Sequence, residues 1–143
     1  MDNVITQFKF SLPLQLRWND QDALGHVNNA VYLSYFETAR GHFMPTACPG
    51  WDWYKNMFLI ANISISFQKE LVLLAKNPKV HIRTTKIGTK SFDLEYLITS
   101  EIKGETVIHA TGTSTQVMFD VPTRKTIEIS DTIRTALSNF DNL

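Results

Sequence analysis

Near the amino terminus, apolar and polar residues alternate strictly along the chain. The apolar positions of this run are Phe8, Phe10, Leu12, Leu14, Leu16 and Trp18. A period of two residues predicts a β-strand. Pro13 lies inside the run and cannot donate a hydrogen bond to a neighbouring strand, so we expect this strand at an edge of its sheet.

After the turn-forming residues 19–22, the pattern changes to that of a helix. Asn28 or Asn29 is expected to cap this helix, residues 30–40 form its body, and we expect about four turns in all. Its large apolar residues are spread around much of the circumference. This distribution predicts a central helix that is largely surrounded by other structure.

Four further strands and a short helix are predicted in the rest of the chain, after a loop at residues 44–56. In the first of these strands, residues 59–68, the odd positions are apolar and the even positions are mainly polar. The other expected strands are residues 80–87, 92–98 and 105–119, and the short helix is residues 130–140 with Ser130 or Asp131 as its cap. Turns at Gly88-Thr89 and Lys103-Gly104 join the last three strands as hairpins.

This order of elements predicts an α+β fold. A five-stranded antiparallel sheet must curve strongly around the long helix, because only wrapping can cover so apolar a segment. The short helix then follows at the carboxy terminus. With 143 residues and 43% hydrophobic composition, we expect one globular domain spanning residues 1–143.

Charge and apolar runs exclude several classes of function. Fourteen basic and fourteen acidic residues give no net charge, so no net field draws the chain to nucleic acid or to an anionic membrane. No apolar run approaches the roughly 18 residues of a membrane span, and the amino terminus lacks the features of a signal peptide. We therefore expect neither nucleic acid nor a membrane as a partner.

Cysteine and histidine usage gives a further expectation. Cys48 is the single cysteine, which can form neither an internal disulfide nor a thiolate metal site and suits the reducing cytoplasm. His42, His81 and His109 have no ligand spacing with other histidines or acids, so we predict no metal.

Residues 17–40, RWNDQDALGHVNNAVYLSYFETAR, carry the most specific pattern in the chain. They resemble the D-x-D-x-x-G-H-V-N-N-x-x-Y-L-x-Y-F-E-x-A-R signature of the 4-hydroxybenzoyl-CoA thioesterase family, which includes YbgC-like and FadM-like acyl-CoA thioesterases. The resemblance implies the hotdog fold and hydrolysis of an acyl-CoA, or of an acyl-carrier thioester, to a free acid and a thiol. It implies no retained cofactor, because coenzyme A is part of the substrate.

The resemblance also implies that Asp22, the second aspartate of the D-x-D pair, is the central catalytic residue. A carboxylate is ionised at neutral pH, so it can attack the thioester carbonyl itself or deprotonate a water that attacks it. The sequence leaves both routes open. A turn aspartate is the structural alternative for Asp22. Asp20 is expected to pair with Arg17 or Arg40 and to hold the loop.

A thioesterase must stabilise the negative charge that develops on the carbonyl oxygen, and free backbone N–H groups at a helix start can do so. Val27, Asn28 and Asn29 lie there. The resemblance implies that the Asn29 amide polarises the carbonyl and that Gly25 permits the tight turn into the helix. His26 can donate to the carbonyl, shuttle a proton or anchor the loop, and these roles stay open.

Other candidate residues lie farther along the chain. Tyr32 can shape an aryl or an aliphatic pocket, although core packing is the commoner role for such a residue. The resemblance implies a homodimer or homotetramer in which the second strands pair across a dimer axis, so that Asn62 and Ser64 line the neighbouring site. Lys90 and Ser91 resemble positions that approach the pantetheine or phosphates of coenzyme A, with a solvated surface charge as the alternative for the lysine.

Glu37 is a competing carboxylate, because another branch of hotdog thioesterases uses an acidic residue on the helix. Arg40 follows three residues later, at the spacing of a helical ion pair, and we favour the ion pair.

Two other functions remain as alternatives. One is a hydratase or dehydratase that uses Asp22 and His26, and the other is a module that binds acyl thioesters without turnover. Hydration of crotonyl-CoA identifies the first, and tight binding without thiol release identifies the second.

Overall fold

The computed structural model describes residues 2–143, with only the backbone for Asp2 and Asn3; Met1, the first residue of the predicted domain, lies outside the described part. The helices are α1 (Asp2–Ile5), α2 (Val31–Ala47) and α3 (Asp131–Asp141), and a 3₁₀ turn lies at Trp18–Asp20. The strands are β1 (Phe10–Pro13), β2 (Phe58–Phe67), β3 (Lys76–Ile87), β4 (Ser91–Ile102), β5 (Glu105–Asp120) and β6 (Lys125–Thr126).

The strands form one antiparallel sheet in the order β1-β3-β4-β5-β2, and β6 extends it by pairing with β5. The buried residues of α2 pack with those of β3, β4 and β5 in one hydrophobic core. The predicted α+β class and the long helix against the sheet are confirmed. The prediction of five strands was wrong by one, because the chain turns at residues 121–124 and returns along β5 as the short strand β6.

The first strand lies at an edge of the sheet, as its proline predicts, with Pro13 opposite Lys79. It is shorter than the alternating run, however. Pro13 has no N–H to donate to β3. The Leu14 N–H donates once more to the Pro78 carbonyl (2.8 Å), and the chain then leaves the sheet.

The other edge strand, β2, contains a β-bulge that the alternation did not reveal. Ile60 lies opposite Gln116 and Asn62 lies opposite Thr115, so Ala61 has no partner on β5. A bulge of one residue reverses the side-chain alternation. Leu59 is therefore 49% exposed, and its predicted place on the same face as Ile63 was wrong.

Both ends of α2 differ from the prediction. The cap is Ala30, which makes no side-chain capping bond, and Asn28 instead accepts the Ala30 N–H through its Oδ1 (2.9 Å).

At the other end the helix continues through Pro45, so the predicted loop began too early. Proline cannot donate to the carbonyl four residues before it. The Trp53 indole N–H donates to that Gly41 carbonyl instead (3.3 Å).

Only one face of α2 is buried. The buried residues are Tyr32, Tyr35, Phe36, Ala39, Arg40, Phe43, Met44 and Ala47, with the spacing of three and four that marks a helix face. The prediction that structure surrounds the helix was wrong, since Leu33 on the opposite face is 42% exposed. The buried face packs closely: Phe36 stacks on Tyr96 at 4.2 Å, and a Cβ on Gly112 would lie 2.4 Å from the Phe36 ring.

The last hairpin and the last helix follow the sequence closely. Lys103 and Gly104 both have positive φ (53° and 79°), which a tight hairpin turn between twisted strands requires. The Ser130 Oγ caps α3 by accepting the Ile133 N–H (3.3 Å), as predicted.

Candidate active site at the amino end of the long helix

A cavity of about 440 Å³ lies between the loop before α2 and the segment after β2. The loop side of its lining consists of Asp22, Leu24, His26, Val27, Asn28, Asn29 and Tyr32. The other side consists of Phe67, Gln68, Lys69 and Glu70. The structure thus brings together all but one of the predicted site residues from 22 to 32, and Gly25 lies in the turn beside them.

A tight turn fixes the Asp22 side chain at the cavity. The Asp22 N–H donates to the His26 carbonyl (2.8 Å), the Gly25 N–H donates to the Asp22 carbonyl (3.0 Å), and Gly25 has a φ of +78°. Such a φ favours glycine. The Asp22 Oδ1 accepts the N–H groups of Leu24 (2.9 Å) and His26 (3.3 Å), while its Oδ2 has no hydrogen-bond partner among residues 2–143. Asp22 is both a turn aspartate and a cavity residue.

The backbone amides at the helix start are occupied, with one exception. The Val27 N–H donates to the Leu71 carbonyl (2.7 Å) and the Asn28 N–H to the Asp20 carbonyl (2.8 Å). The two amides that follow Asn29 both donate to Asn28, one to its Oδ1 and one to its carbonyl. Only the Asn29 amide of this stretch has no hydrogen-bond partner in the described part of the chain. An unpaired N–H at this end of a helix can stabilise a developing negative charge.

Arg17, Asp20 and Tyr35 form a cluster that supports the loop, and we call it the Asp20 cluster. Asp20 and Tyr35 are buried, whereas the Arg17 side chain is 74% exposed. Asp20 is 1% exposed, and its carboxylate accepts the Arg17 N–H (2.9 Å), the Arg17 guanidinium (3.1 Å) and the Tyr35 hydroxyl (2.9 Å). Burial alone would raise the pKa of Asp20, but the hydrogen bonds from Arg17 and Tyr35 outweigh it and lower this pKa below its ordinary value. Burial and the bond to Asp20 raise the pKa of Tyr35. The predicted pairing of Asp20 with Arg17 is confirmed, and the alternative with Arg40 is not found.

His26 contributes its backbone to the loop. It forms an isolated antiparallel bridge with Val72, which joins the loop to the segment after β2. His26 lines the cavity, and its ring has no hydrogen-bond partner among the described residues. The anchoring role is therefore met by the backbone, and the ring is available at the cavity.

Tyr32 lies both in the core and at the cavity. It is 2% exposed within the core cluster and also lines the cavity, where its ring packs edge-on against Phe67 with centroids 5.0 Å apart. Gln68, Lys69 and Glu70, which follow Phe67, form the opposite wall. We call residues 68–72, which continue from this wall to the bridge with His26, the wall segment. Sequence reasoning missed this segment, since its only signal is a polar run at the end of a predicted strand.

Four predicted substrate-binding residues lie away from this cavity within one chain. Asn62 and Ser64 are exposed on β2. Lys90 and Ser91 lie at the far end of the sheet, where Ser91 is opposite Val117 and Val117 is opposite Leu59. Leu59 and Phe67 are eight residues apart on β2, or about 25 Å at the rise of a strand. The Lys90 Nζ lies 3.5 Å from the Thr126 hydroxyl.

The predicted ion pair between Glu37 and Arg40 was wrong. Arg40 turns toward the sheet, where it is 8% exposed and donates to the Tyr96 hydroxyl (3.2 Å), whereas Glu37 lies on the exposed face of α2. Among the described residues Arg40 forms no ion pair. Glu37 lines a separate hollow beside β1 and not the Asp22 cavity, so the two carboxylates do not share a site.

Residues 2–143 show neither a metal cluster nor a membrane span. No group of three or more histidine, cysteine, aspartate or glutamate side chains in this part of the chain is placed to hold a metal ion. No helix in the same residues is long and apolar enough to cross a membrane.

Comparison with known proteins identifies the family. The sequence profile of the thioesterase-like superfamily matches residues 16–137, which is most of the chain and includes both walls of the cavity. The chain belongs to the thioesterase-like superfamily. The predictions of a thioester hydrolase and of a hotdog fold related to the 4-hydroxybenzoyl-CoA thioesterases are thereby confirmed.

Several relatives of this thioesterase are known. The long-chain acyl-CoA thioesterase FadM of Escherichia coli K12 is 28% identical over 130 residues, which cover 89% of this chain and 96% of FadM. A thioesterase from Thermus thermophilus, solved in complex with coenzyme A and zinc, is 28% identical with a TM-score of 0.81 over 96% of this chain and 97% of that one. A 1,4-dihydroxy-2-naphthoyl-CoA thioesterase from Synechocystis has a TM-score of 0.77 at 17% identity, over 92% of this chain and 97% of that one, and so shows the fold alone.

Proposed function

We propose that this thioesterase hydrolyses an acyl-CoA, or an acyl-carrier thioester, to a free acid and a thiol in the Asp22 cavity. The observation that carries the proposal is a pair of unoccupied groups at one cavity: the Oδ2 of Asp22 and the N–H of Asn29. One can supply a base or nucleophile, and the other can stabilise the oxyanion. The FadM relative and the coenzyme A complex of the Thermus thioesterase support the class of substrate. Coenzyme A is then part of the substrate and not a cofactor.

The proposed reaction has two routes to the same products. In the first, Asp22 takes a proton from water, the water oxygen bonds to the carbonyl carbon, the C–S bond breaks, and the departing thiolate takes the proton. In the second, the Asp22 Oδ2 bonds to the carbonyl carbon and displaces the thiolate. Water then cleaves the resulting anhydride, which releases the free acid, restores the Asp22 carboxylate and supplies the proton that the thiolate takes. The Asn29 amide donates to the carbonyl oxygen in both routes, and the His26 ring can move the proton to the sulfur.

A matched pair of variants tests the role of Asp22. Asp22→Asn keeps the turn, because an amide oxygen can still accept the Leu24 N–H, but it removes the base, so thiol release should fall at least about 100-fold. Asp52→Asn is the control. The Asp52 Oδ1 accepts the N–H of the residue two positions later, Tyr54 (2.9 Å), as the Asp22 Oδ1 does from Leu24, but Asp52 does not line the cavity. Release is followed with a thiol reagent over short, long and aromatic acyl-CoAs. Wild-type turnover by Asp22→Asn contradicts the proposal.

The same panel separates the alternatives. Hydration of crotonyl-CoA without thiol release would assign a hydratase. Tight binding of an acyl-CoA without either reaction would assign a binding module. The bond that the Asp22 side chain accepts from His26 favours neither alternative, because its donor is the His26 backbone N–H and not the ring.

We further propose that two copies pair through their β2 strands. The second strand is an edge strand of ten residues with Leu59, Ile60 and Phe67 exposed, a surface that invites pairing. Antiparallel pairing of two such strands would set the Leu59 end of one copy against the Phe67 end of the other. It would thereby bring Lys90 and Ser91 of a second copy toward the Asp22 cavity. A sedimentation mass equal to that of one chain at assay concentrations contradicts this assembly.

We infer the cytoplasm as the compartment. Cys48 is the single cysteine and a free thiol, which suits a reducing compartment.

A further inference from the structure

His109 lies at an irregularity of β5 directly beside the wall segment. Ile98 of β4 is opposite Ala110, and the next residue, Thr99, is opposite Ile108, so His109 has no partner on β4. On the other side β2 ends with Phe67 opposite Ala110. The His109 carbonyl then accepts two N–H groups from the wall segment, those of Gln68 (2.8 Å) and Lys69 (3.2 Å).

The His109 ring makes further bonds to the same segment. Its Nδ1 lies 3.0 Å from the Glu70 carbonyl and 3.3 Å from the Lys69 carbonyl. Both partners are acceptors, so Nδ1 must carry a hydrogen. Its Nε2 lies 2.6 Å from the Ser100 hydroxyl, and His109 and Ser100 are each 2% exposed. Burial lowers the pKa of His109 although the bonds to the carbonyls oppose this, so the ring is neutral and Ser100 donates to Nε2.

The wall segment connects this ring to the helix start. Leu71 is fully buried, and its carbonyl accepts the Val27 N–H at 2.7 Å. Val72 forms the bridge with His26. Beyond the end of β2 the carbonyls of Lys69 and Glu70 have no strand partner, and the imidazole supplies the missing donor. The segment is therefore fixed on one side by His109 and on the other by the loop that carries Asp22.

We propose that His109, held in its Nδ1–H form by the Lys69 and Glu70 carbonyls, is a positioning residue. It fixes the position of the wall segment and, through Val27, that of the free Asn29 amide relative to Asp22. This inference rests on the proposed function, since it concerns the same cavity. His109 lies behind the wall and does not line the cavity, so it acts through Lys69, Glu70 and Leu71.

Kinetics of matched variants test the proposal. His109→Leu removes the donor, and kcat should fall about 10- to 100-fold with a smaller change in KM, because a displacement near 1 Å costs up to about 100-fold in rate. His109→Asn returns an N–H group that can reach the same carbonyls and should recover most of the lost kcat. His81→Leu is the control: His81 is also buried, at 7% exposed, but its ring bonds Thr99 (2.8 Å) and has no contact with the wall segment. A kcat for His109→Leu equal to that of His81→Leu overturns the proposal.

Two measurements without turnover keep the inference separate from the proposed function. In ¹⁵N spectra of the wild-type imidazoles, His109 should be neutral with its hydrogen on Nδ1, and Ser100→Ala, which leaves both carbonyl acceptors in place, should keep this form. The Val27 amide should exchange its hydrogen faster in His109→Leu than in His81→Leu. A wild-type Nε2–H tautomer, or equal Val27 exchange, overturns the positioning role even if thiol release is normal. Inactive wild-type protein with the expected tautomer and exchange overturns the proposed function alone.

Discussion

Removing the Tyr35 hydroxyl perturbs the Asp20 cluster at one defined point. Tyr35 is 7% exposed, and its hydroxyl donates to the Oδ2 of Asp20 at 2.9 Å. Tyr35→Phe keeps the ring in the core and deletes only this donor. Asp20 keeps its bonds from Arg17, so the loop loses one of its supports and not all of them.

The magnitude follows from the charge and the burial of the acceptor. A hydrogen bond to a charged group contributes about 1.5–3 kcal/mol, and since Asp20 keeps Arg17 we expect a loss of about 2 kcal/mol of unfolding free energy at neutral pH. Because the pKa of Asp20 is lower in the folded state than its ordinary value of 3.8, its ionised carboxylate stabilises the fold at pH values above 3.8. This stabilisation is lost as the pH falls through the pKa that Asp20 has in the folded state. Without Tyr35 the folded pKa moves back up, so acid unfolding should begin at a higher pH.

Urea unfolding followed by circular dichroism measures the free energy, and an acid titration measures the second effect. The control is Tyr32→Phe, the same chemical change at a ring that is 2% exposed and whose hydroxyl has no partner among the described residues. If Tyr35→Phe loses no more stability than Tyr32→Phe, or unfolds at the same acid pH as the wild type, the Asp20 cluster does not support the loop as we argue.

Two further substitutions test the packing of α2. Gly112→Ala places a Cβ 2.4 Å from the Phe36 ring and should cost about 1–3 kcal/mol of unfolding free energy by overpacking. Gly41→Ala is the control, because a Cβ there meets nothing within 4 Å beyond its chain neighbours and the adjacent backbone of α2, and it should cost nothing measurable. Equal urea midpoints for the two variants contradict this. Trp53→Phe removes the donor to the Gly41 carbonyl and should cost about 1 kcal/mol of unfolding free energy. This cost should vanish in a Pro45→Ala background, because an alanine at this position has an N–H that can donate to the same carbonyl. A double-mutant cycle in urea measures the difference.

The sequence carried information on the parts of the cavity that depend on a few neighbouring residues: residue types indicated the turn, and the role of the Asn29 amide was implied by the family resemblance alone. The turn from Asp22 to Gly25 and the free amide at Asn29 are set by bonds between residues close in sequence, with a single glycine at positive φ. Such bonds leave a signature in residue types at fixed spacing. The helix cap was missed by one or two residues because Asn28 bonds the Ala30 amide without itself becoming the cap.

Features that depend on pairing between distant strands were not predictable. The bulge at Ala61 arises from the register of β2 on β5, and a period of two carries no information on register. The orientation of Arg40 depends on Tyr96, which is fifty-six residues away. Residue spacing on a helix places Glu37 beside Arg40, but the buried tyrosine hydroxyl is the partner that Arg40 bonds.

Asp20 and Asp22 are two nearby carboxylates with different hydrogen-bond partners. The Asp20 carboxylate accepts bonds from Arg17 and Tyr35 at both oxygens, and a carboxylate whose lone pairs are occupied is a poor base. The Asp20 backbone carbonyl also accepts the Asn28 N–H. The next amide before the helix, that of Asn29, has no partner among the described residues. The buried aspartate therefore selects which amide stays free, and its neighbour at Asp22 keeps the free oxygen. If the proposed reaction is correct, a change that loosens Asp20 should weaken oxyanion stabilisation even while the Asp22 carboxylate remains intact.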